Sequence, residues 1–170
     1  MTIRPLGQPD VTPVAEFLNT CWRASYSGIL EQSFLDAMTT TTRSQIVRRH
    51  LSAGMRGTVA VDEDGQLLGV SMYGPSHFVS LDEAGEIDML YVHPHRLGTG
   101  LGHRLLTQAE VALMAAGYQQ LCLDVFSANH QAVAFYTRHG YRVVDHKIDH
   151  IEGGEYPLDI MVKQIAAVPS

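Results

Sequence analysis

Three glycines spaced two residues apart, Gly98, Gly100 and Gly102, lie where a strand-like run passes into a helix-like one. The first turn of a helix leaves backbone N–H groups without partners and carries a partial positive charge, so this junction can bind an anion such as a phosphate. Because glycine has no Cβ, an anion can approach those groups closely. The spacing therefore predicts a site for a phosphate-bearing ligand that is built from main-chain amides.

Two common phosphate-binding motifs do not fit this junction. A P-loop requires Lys followed by Ser or Thr after its last glycine, whereas His103 and Arg104 follow Gly102. A dinucleotide fingerprint G-x-G-x-x-G would place its third glycine at His103 or Leu105. Asp124, which ends the next predicted strand, is a candidate ribose partner, so a nicotinamide-dependent oxidoreductase stays an alternative. Thermal stabilisation by NAD would support that alternative.

A third pattern covers the glycine junction and a later helix. The run VHPHRLGTGLGHRLL, Val92–Leu106, resembles the acetyl-coenzyme A signature of the GNAT N-acetyltransferase superfamily, V-x-P-x-x-x-G-x-G-x-G-x-x-L-L. The run NHQAVAFYTRHGY, Asn129–Tyr141, resembles that family's second signature, N-x-x-A-x-x-[FL]-Y-x-x-x-G-[FY]. Weaker similarity extends the resemblance to most of the chain. Leu97 departs from the pattern, because the family usually has Gln or Arg there, and Arg96 is one place earlier.

The resemblance implies that acetyl-CoA is the co-substrate and that no metal is needed. In the family, the pantetheine arm pairs with the strand before the glycines much like an extra strand. Pro94 has no N–H and so stops regular pairing, which leaves this strand free to splay from its neighbour. The cofactor contacts that the resemblance assigns are Leu90, Val92, Leu97, Gly98, Thr99, Gly100, Leu101, Gly102, Asn129 and Tyr136.

Acetyl transfer to an amine requires a proton acceptor, because an amine at neutral pH is mostly protonated. Glu86 is the predicted base, since it opens the strand that leads to the glycines, where many family members have theirs. Asp88 faces the same side of that strand and is the second candidate. Tyr136 matches the tyrosine that returns a proton to the departing thiolate. The structural alternatives are solvated or paired carboxylates and a core aromatic at Tyr136.

The histidines and cysteines do not predict a metal site. Among nine histidines, the candidate pairs are His146 with His150 and His93 with His95 beside the glycines, and neither is persuasive. On one face of a strand, His146 and His150 would lie about 13 Å apart. Cys21 and Cys122 are too scattered to complete a zinc site and are expected to be buried thiols.

Length and composition predict one domain over residues 1–170. A chain of 170 residues that is 45% hydrophobic can bury one sizeable core. Its net charge of −6 argues against nucleic acid and anionic membrane surfaces as partners and is compatible with an amine acceptor. Without a basic-then-apolar leader or a long apolar run, a cytoplasmic location is expected. A homodimer is a further expectation.

Strand and helix patterns alternate along the chain and must position these residues. The predicted strands are Thr2 to Leu6, Thr58 to Asp62, Gln66 to Tyr73, Glu86 to Val92, Gln120 to Phe126 and a final hairpin turning at Glu152 to Gly154. The predicted helices are Asp10 to Ser25, Gln32 to His50, the glycine junction to Gly117, and Asn129 to His139. With the resemblance, this order predicts an α/β fold with a mixed, mostly antiparallel sheet of about six to seven strands sandwiched by helices.

The predicted function is transfer of acetyl from acetyl-CoA to a primary amine of a small molecule, peptide or protein, by direct attack in a ternary complex. The alternative is a non-catalytic acyl-CoA-binding sensor or regulatory module. The candidate walls of the acceptor pocket are Trp22, Tyr26, Phe34, Tyr73 and the acidic Asp82–Glu83 loop. These residues do not specify which amine is accepted.

Overall fold

A computed structural model describes residues 1–165, and residues 166–170 of the predicted domain lie outside the described part. Within residues 1–165 the strands are β1 Thr2–Pro5, β2 Arg56–Val61, β3 Leu67–Pro75, β4 Gly85–Val92, β5 Gln120–Phe126, β6 Arg142–Ile151 and β7 Gly154–Gln164. The α-helices are α1 Val11–Tyr26, α2 Gln32–Ala37, α3 Thr40–Ser52, α4 Leu101–Ala115 and α5 His130–Arg138. The predicted alternation of strands and helices is therefore confirmed.

One seven-stranded sheet runs through the described residues in the order β1-β2-β3-β4-β5-β7-β6. Every neighbouring pair is antiparallel except β4 with β5, which is parallel. This confirms the predicted mixed, mostly antiparallel sheet. Helices cover both of its faces, with α1 and α3 packed on one side and α4 and α5 on the other.

The sheet opens between β4 and β5. These strands pair at only two positions, Gly85 with Leu121 and Glu86 with Cys122. Each strand keeps its other neighbour much further, since β4 pairs with β3 as far as Val92 and β5 pairs with β7 along its whole length. The predicted splaying of the strand before Pro94 is thus present, and it produces a V-shaped gap.

A β-bulge lies on β4 at the start of this gap. Met72 of β3 pairs with Met89, whereas the next residue, Tyr73, pairs with Ile87, so Asp88 is the extra residue of β4. A bulge places two residues of one strand opposite one of its partner and changes which way the following side chains face. As a result, Ile87 packs in the core beneath α4, whereas Met89 packs with α1 and α3.

The main core joins the inner face of α4 and α5 to the strands. It contains Tyr73, Ile87, Leu106, Ala109, Leu113, Leu121, Leu123, Val125, Tyr136, Tyr141 and Met161. Full burial of one aliphatic side chain of this kind stabilises the fold by about 1.5 to 3 kcal/mol. Cys21 and Cys122 are buried and free, as predicted. In the described part of the chain, no helix combines the length and apolar character needed to span a bilayer.

The prediction of a single helix from Gln32 to His50 was wrong. The chain breaks at Met38, which is extended at φ −74° and ψ 105°. Thr39 then caps a new helix, because its hydroxyl accepts a hydrogen bond from the N–H of Thr42 at 3.1 Å. Such a cap satisfies an N–H that the first helical turn leaves free. The new direction of α3 brings His50 to β4.

Candidate active site

The gap between β4 and β5 holds a cavity of about 670 Å³. Its walls come from the end of α1, from β4 and β5, from the glycine junction and from α5. The predicted cofactor contacts that line it are Leu90, Val92, Leu97, Gly98, Gly102, Asn129 and Tyr136. Thr99, Gly100 and Leu101 form the junction itself and stand behind that wall.

Glycine is favoured at the three positions of the junction for two different structural reasons. Gly98 and Gly100 have φ angles of 76° and 85°, in the left-handed region that other residues enter at a cost. A Cβ at either position would meet no described atom within 4 Å, so backbone conformation rather than crowding selects glycine there. Gly102 lies inside α4, where a Cβ would meet the ring of Phe135 at 3.5 Å and reduce the cavity.

The junction presents free main-chain donors. The N–H of Arg104 donates to the carbonyl of Gly100 at 3.1 Å and is the first amide bonded within α4. The N–H groups of Leu101, Gly102 and His103 precede it and have no partner within the helix. Together with the helix dipole they form a cradle for an anion at the cavity rim.

Leu97 and Arg138 complete this end of the cavity. Leu97, where the family pattern has Gln or Arg, is 63% exposed and lines the wall, whereas Arg96 does not. Arg138 reaches the same cavity from the last turn of α5. It was not singled out from the sequence, although it lies inside the second signature run.

The edge of β4 turns polar main-chain groups toward the gap. The N–H of His93 donates to the carbonyl of Leu68 on the β3 side at 2.8 Å. Since successive residues of an antiparallel strand alternate in direction, the N–H groups of Leu90 and Val92 point away from β3. They face the space that β5 vacates, which is where an extended arm could pair with the strand.

Two carboxyl groups of β4 lie at the base of the gap. Asp88 lines the cavity, whereas Glu86 is buried behind it, with 2% of its surface exposed. Burial, and secondarily the charge of Asp88, raises the pKa of Glu86 to about 8. At neutral pH Glu86 therefore mostly keeps its proton, and Asp88 is the member of the pair that faces the cavity.

Two histidines flank this carboxyl pair, and sequence analysis assigned no role to either. The Nδ1 atom of His77 lies 2.6 Å from Oε1 of Glu86, and the His77 N–H donates to the same oxygen at 3.4 Å. His50 of α3 places its Nδ1 atom 3.6 Å from Oδ2 of Asp88. His50 Nδ1 and Asp88 Oδ2 are both buried, and neither has a hydrogen-bond partner among the described residues. No sequence spacing links His50 or His77 to β4, so only the fold could reveal them.

The three side chains His77, Glu86 and Asp88 also offer ligand atoms within 4.8 Å of one another, a spacing that a metal ion could use. The histidine pair considered from the sequence does not converge in this way. His146 lies 2.9 Å from Asp159, and His150 lies 4.0 Å from Glu155.

Aromatic side chains form the wall opposite the glycine junction. The hydroxyls of Tyr26 and Tyr91 lie 2.9 Å apart, and the rings of Trp22 and Phe126 stand edge-on to Tyr26 at centroid distances of 4.9 and 5.0 Å. The guanidinium of Arg43 lies 4.2 Å from the centre of the Trp22 ring and fixes its outer face. Trp22 and Tyr26 line the cavity, where the sequence placed them.

The other predicted wall residues lie elsewhere. Phe34 packs behind Trp22 at a centroid distance of 6.5 Å, and Tyr73 belongs to the core beneath α4. Asp82 and Glu83 are exposed and do not line the cavity. The acidic side chains that do line it, besides Asp88, are Asp124 and Asp149.

Tyr136 and Asn129 reach the cavity from α5. The Asn129 side chain caps this helix by accepting a hydrogen bond from the N–H of Ala132 at 3.3 Å, and it also lines the cavity. Tyr136 is buried in the wall, and burial raises the pKa of its hydroxyl far above the ordinary value. The phenol therefore stays protonated at neutral pH and can donate a proton or a hydrogen bond into the cavity.

Comparisons with known proteins agree with this geometry. Residues 13–141 match the family model described as Acetyltransferase (GNAT) family. The chain is 24% identical over 137 residues to the uncharacterized N-acetyltransferase YuaI of Bacillus subtilis (strain 168), covering 80% of this chain and 77% of that protein.

Solved structures share the fold across nearly the whole chain. A GCN5-related N-acetyltransferase from Rhodopseudomonas palustris aligns with a TM-score of 0.76 and 20% identity, covering 96% of this chain and 95% of that one. The PaiA N-acetyltransferase from Thermoplasma acidophilum, solved in complex with coenzyme A, aligns with a TM-score of 0.70 and 22% identity, covering 96% and 99%.

Proposed function

The chain belongs to the GNAT acetyltransferase family, and from this premise we propose that it transfers an acetyl group from acetyl-CoA to a primary amine. One observation carries the proposal: the glycine junction, the free edge of β4, Asp88 and Tyr136 all border the same cavity. An anion cradle, a strand edge and acid–base groups in one space are what a ternary complex of acetyl-CoA and amine requires.

The donor is proposed to enter through the open end of the V. Its diphosphate would bind the free amides that begin α4, with Arg138 supplying the positive charge that Leu97 cannot. Its pantetheine arm would pair, as an added strand does, with the N–H and C=O groups of Leu90 and with the N–H of Val92, whose carbonyl accepts from Sγ of Cys21 at 3.8 Å. Thr99, Gly100 and Leu101 would contribute main-chain contacts, and Asn129 would contact the arm from α5.

The acceptor amine is proposed to lose its proton to the carboxyl pair of Glu86 and Asp88. Asp88 faces the cavity and would receive the proton, while buried Glu86 lies behind it. The neutral nitrogen then attacks the thioester carbonyl, and an N–C bond forms as negative charge develops on the oxygen. A fixed main-chain N–H of β4 is well suited to stabilise that oxyanion.

Collapse of the intermediate breaks the C–S bond and releases the thiolate of coenzyme A. Tyr136 is proposed to donate the proton that converts this thiolate into a thiol, and the second proton that the attacking nitrogen must lose to become an amide then restores the phenol. Its position in the cavity wall supports this role, and because burial raises the pKa of the hydroxyl, the phenol is protonated whenever a thiolate forms near neutral pH.

The acceptor wall favours an amine with an apolar or aromatic body. Trp22, Tyr26 and Phe126 offer ring surfaces, and Asp88 and Asp124 offer negative charge to an ammonium before it loses its proton. Rings and carboxylates together attract cations through both electrostatic and cation–π interactions.

Thiol release is the direct test of this proposal. The protein is incubated with acetyl-CoA, a thiol reagent and a panel of primary amines that includes aryl-alkyl amines, diamines and short peptides. Thiol release that depends on one class of amine, with the acetylated amine found by mass spectrometry, supports the enzyme. Binding of coenzyme A without release from any amine would favour the alternative, a non-catalytic acyl-CoA sensor.

A further inference from the structure

A line of titratable side chains leads from the cavity to the protein surface through the sheet. Asp88 lines the cavity, Glu86 lies buried behind it, and His77 follows with 57% of its side chain exposed. Resting on the proposed function, we propose that His77 relays the proton of the acceptor amine from the Glu86–Asp88 pair to bulk water. His77 would thus be a positioning and proton-relay residue that never touches the substrate.

The contacts of His77 are those of a relay residue. Its Nδ1 atom is 2.6 Å from Oε1 of Glu86, close enough for a proton to pass once the ring turns toward that oxygen, and its exposed side chain meets solvent. The loop that carries it is held in place because the N–H of Ser76 donates to the carbonyl of Ala84 at 3.1 Å. The ring of Phe78 packs beside the imidazole at a centroid distance of 4.1 Å.

Each turnover makes such an exit necessary. Asp88 accepts one proton from the ammonium of the acceptor, although Glu86 behind it already holds one. Two neutral carboxylic acids could not accept a second amine proton, so the pair must lose a proton before the next cycle. Glu86 is walled off from water, with 2% of its surface exposed, and bound donor and acceptor would cover Asp88 on the cavity side, so His77 is the exit that stays open during turnover.

One proton leaves along this line in each cycle. The protonated Glu86 gives its proton to Nδ1 of His77 and receives the proton that Asp88 took from the amine. The resulting imidazolium releases its Nε2 proton to water, and tautomer exchange through water restores the starting form of His77. The net result is one proton moved from the amine to solvent, with Asp88 ionised and Glu86 protonated again.

The other charged and titratable groups around the pair do not offer an equal path. Cys122 and Asp124 face Glu86 from β5, but the Cys122 thiol is buried and its pKa is raised by burial. The Asp124 carboxylate pairs with Lys147 at 3.1 Å. His50 approaches Asp88 from α3, but its 3.6 Å separation is longer than a hydrogen bond.

Substitution of His77 tests the relay in the intact protein. His77→Gln retains a donor toward Glu86 but cannot carry a proton through, and His77→Ala leaves a space that added imidazole can fill. We expect both variants to lower kcat about tenfold or more, to leave KM for acetyl-CoA unchanged, and to make the rate depend on buffer concentration. Imidazole should restore the rate of His77→Ala. His150→Gln, on the distant β6–β7 hairpin, is the matched control and should behave as the unmodified protein.

The outcomes separate the relay from the function on which it rests. Unchanged kcat and pH–rate profile in both His77 variants would overturn the relay alone. Absence of thiol release in the unmodified protein would overturn the proposed function and the relay with it. Activity that disappears with EDTA and returns with Zn²⁺ would assign His77, Glu86 and Asp88 to a metal ion and would also overturn the relay.

Discussion

Glu86 and Asp88 are the same kind of side chain, two residues apart, yet the protein gives them different environments. Asp88 meets the cavity, and Glu86 is enclosed by β5, the loop that carries His77, and Asp88 itself. A buried carboxyl group resists ionisation, and a charged neighbour increases that resistance. The prediction that Glu86 is the base therefore stays a prediction about the pair, in which Asp88 stands nearer to the amine.

The raised pKa of Glu86 predicts how stability depends on pH. In the unfolded chain Glu86 loses its proton near pH 4.5, whereas in the folded protein it keeps the proton to about pH 8. The folded state thus binds more protons between these values, so stability should fall as pH rises through this window. Glu86→Gln removes this effect, and its Tm should exceed that of the unmodified protein at pH 8 by more than at pH 5.

The control for this prediction is Glu83→Gln, which changes an exposed glutamate nearby. Its melting curve should follow that of the unmodified protein at every pH. Parallel Tm profiles for Glu86→Gln and the unmodified protein would contradict an elevated pKa at Glu86.

Tyr136 offers a test of the proposed proton donor. Tyr136→Phe should lower kcat by roughly tenfold to a hundredfold, near the lower range for loss of a general acid, because thiolate is a good leaving group. The Kd for coenzyme A, measured by calorimetry, should change little. Tyr141→Phe is the matched control, since Tyr141 is a buried neighbour in the core whose hydroxyl has no partner among the described residues. Equal kcat values in Tyr136→Phe and Tyr141→Phe would show that Tyr136 serves only as a core aromatic.

Among the elements, the start of α4 combines a left-handed backbone with a proposed ligand contact. Gly100 and Gly65 have similar φ angles, 85° and 79°, and a Cβ would meet no described atom at either. Substitution by alanine should lower the free energy of unfolding by about 1 to 2 kcal/mol at each position. Each kcal/mol lost should lower Tm by about 2 to 4 °C. Only Gly100→Ala should also weaken coenzyme A binding, because only Gly100 shapes the anion cradle. Equal Kd values for coenzyme A in the two variants, measured by calorimetry, would show that the glycine junction is not part of the donor site.

Elements with strong local signals could be predicted from the sequence. The glycine junction, the capping residue Asn129 and the alternating run Glu86 to Val92 each gave the correct element and a nearly correct boundary. The position of the free amides at the cavity rim followed, because a junction of this kind fixes which N–H groups have no partner within the helix, and their contact with a cofactor stays a prediction. These features depend on neighbours in the chain, which is why a single sequence contains them.

Features that depend on distant contacts could not be predicted. The helix break at Met38 follows from the hydroxyl cap of Thr39, one of several adjacent threonines with equal claims to cap. The bulge at Asp88 is defined by pairing with β3, and the approach of His77 to Glu86 is defined by the course of a loop. A period-two pattern gives the face of a side chain but not its depth, so it could not separate buried Glu86 from Asp88.

At the scale of the whole molecule, the donor should stabilise the fold by bridging the two halves of the sheet. Coenzyme A at a hundred times its Kd should add about 2.7 kcal/mol, or roughly 5 to 10 °C in Tm for a protein of this size. NAD at the same concentration should leave Tm unchanged. A shift with NAD and none with coenzyme A would instead support the oxidoreductase alternative.

Association of two copies of the chain into a homodimer stays a prediction. The outer strand β6 is an open sheet edge with exposed Val143, Val144 and Ile148. Exposed apolar edges favour association. Sedimentation should therefore show a mass above that of the 18.7 kDa chain, and Val144→Lys should return it to that of one chain.

The two rungs that join β4 to β5 have a mechanical consequence. Gly85 and Glu86 lie at the closed end of the V. Any rotation of one half of the sheet relative to the other would therefore have its hinge at these two residues. Atoms near a pivot travel least, and those at the far tips, Val92 and Phe126, travel most. A bulky nucleotide can thus enter and leave as the open ends of β4 and β5 move apart, while the pair of Glu86 and Asp88 keeps its alignment.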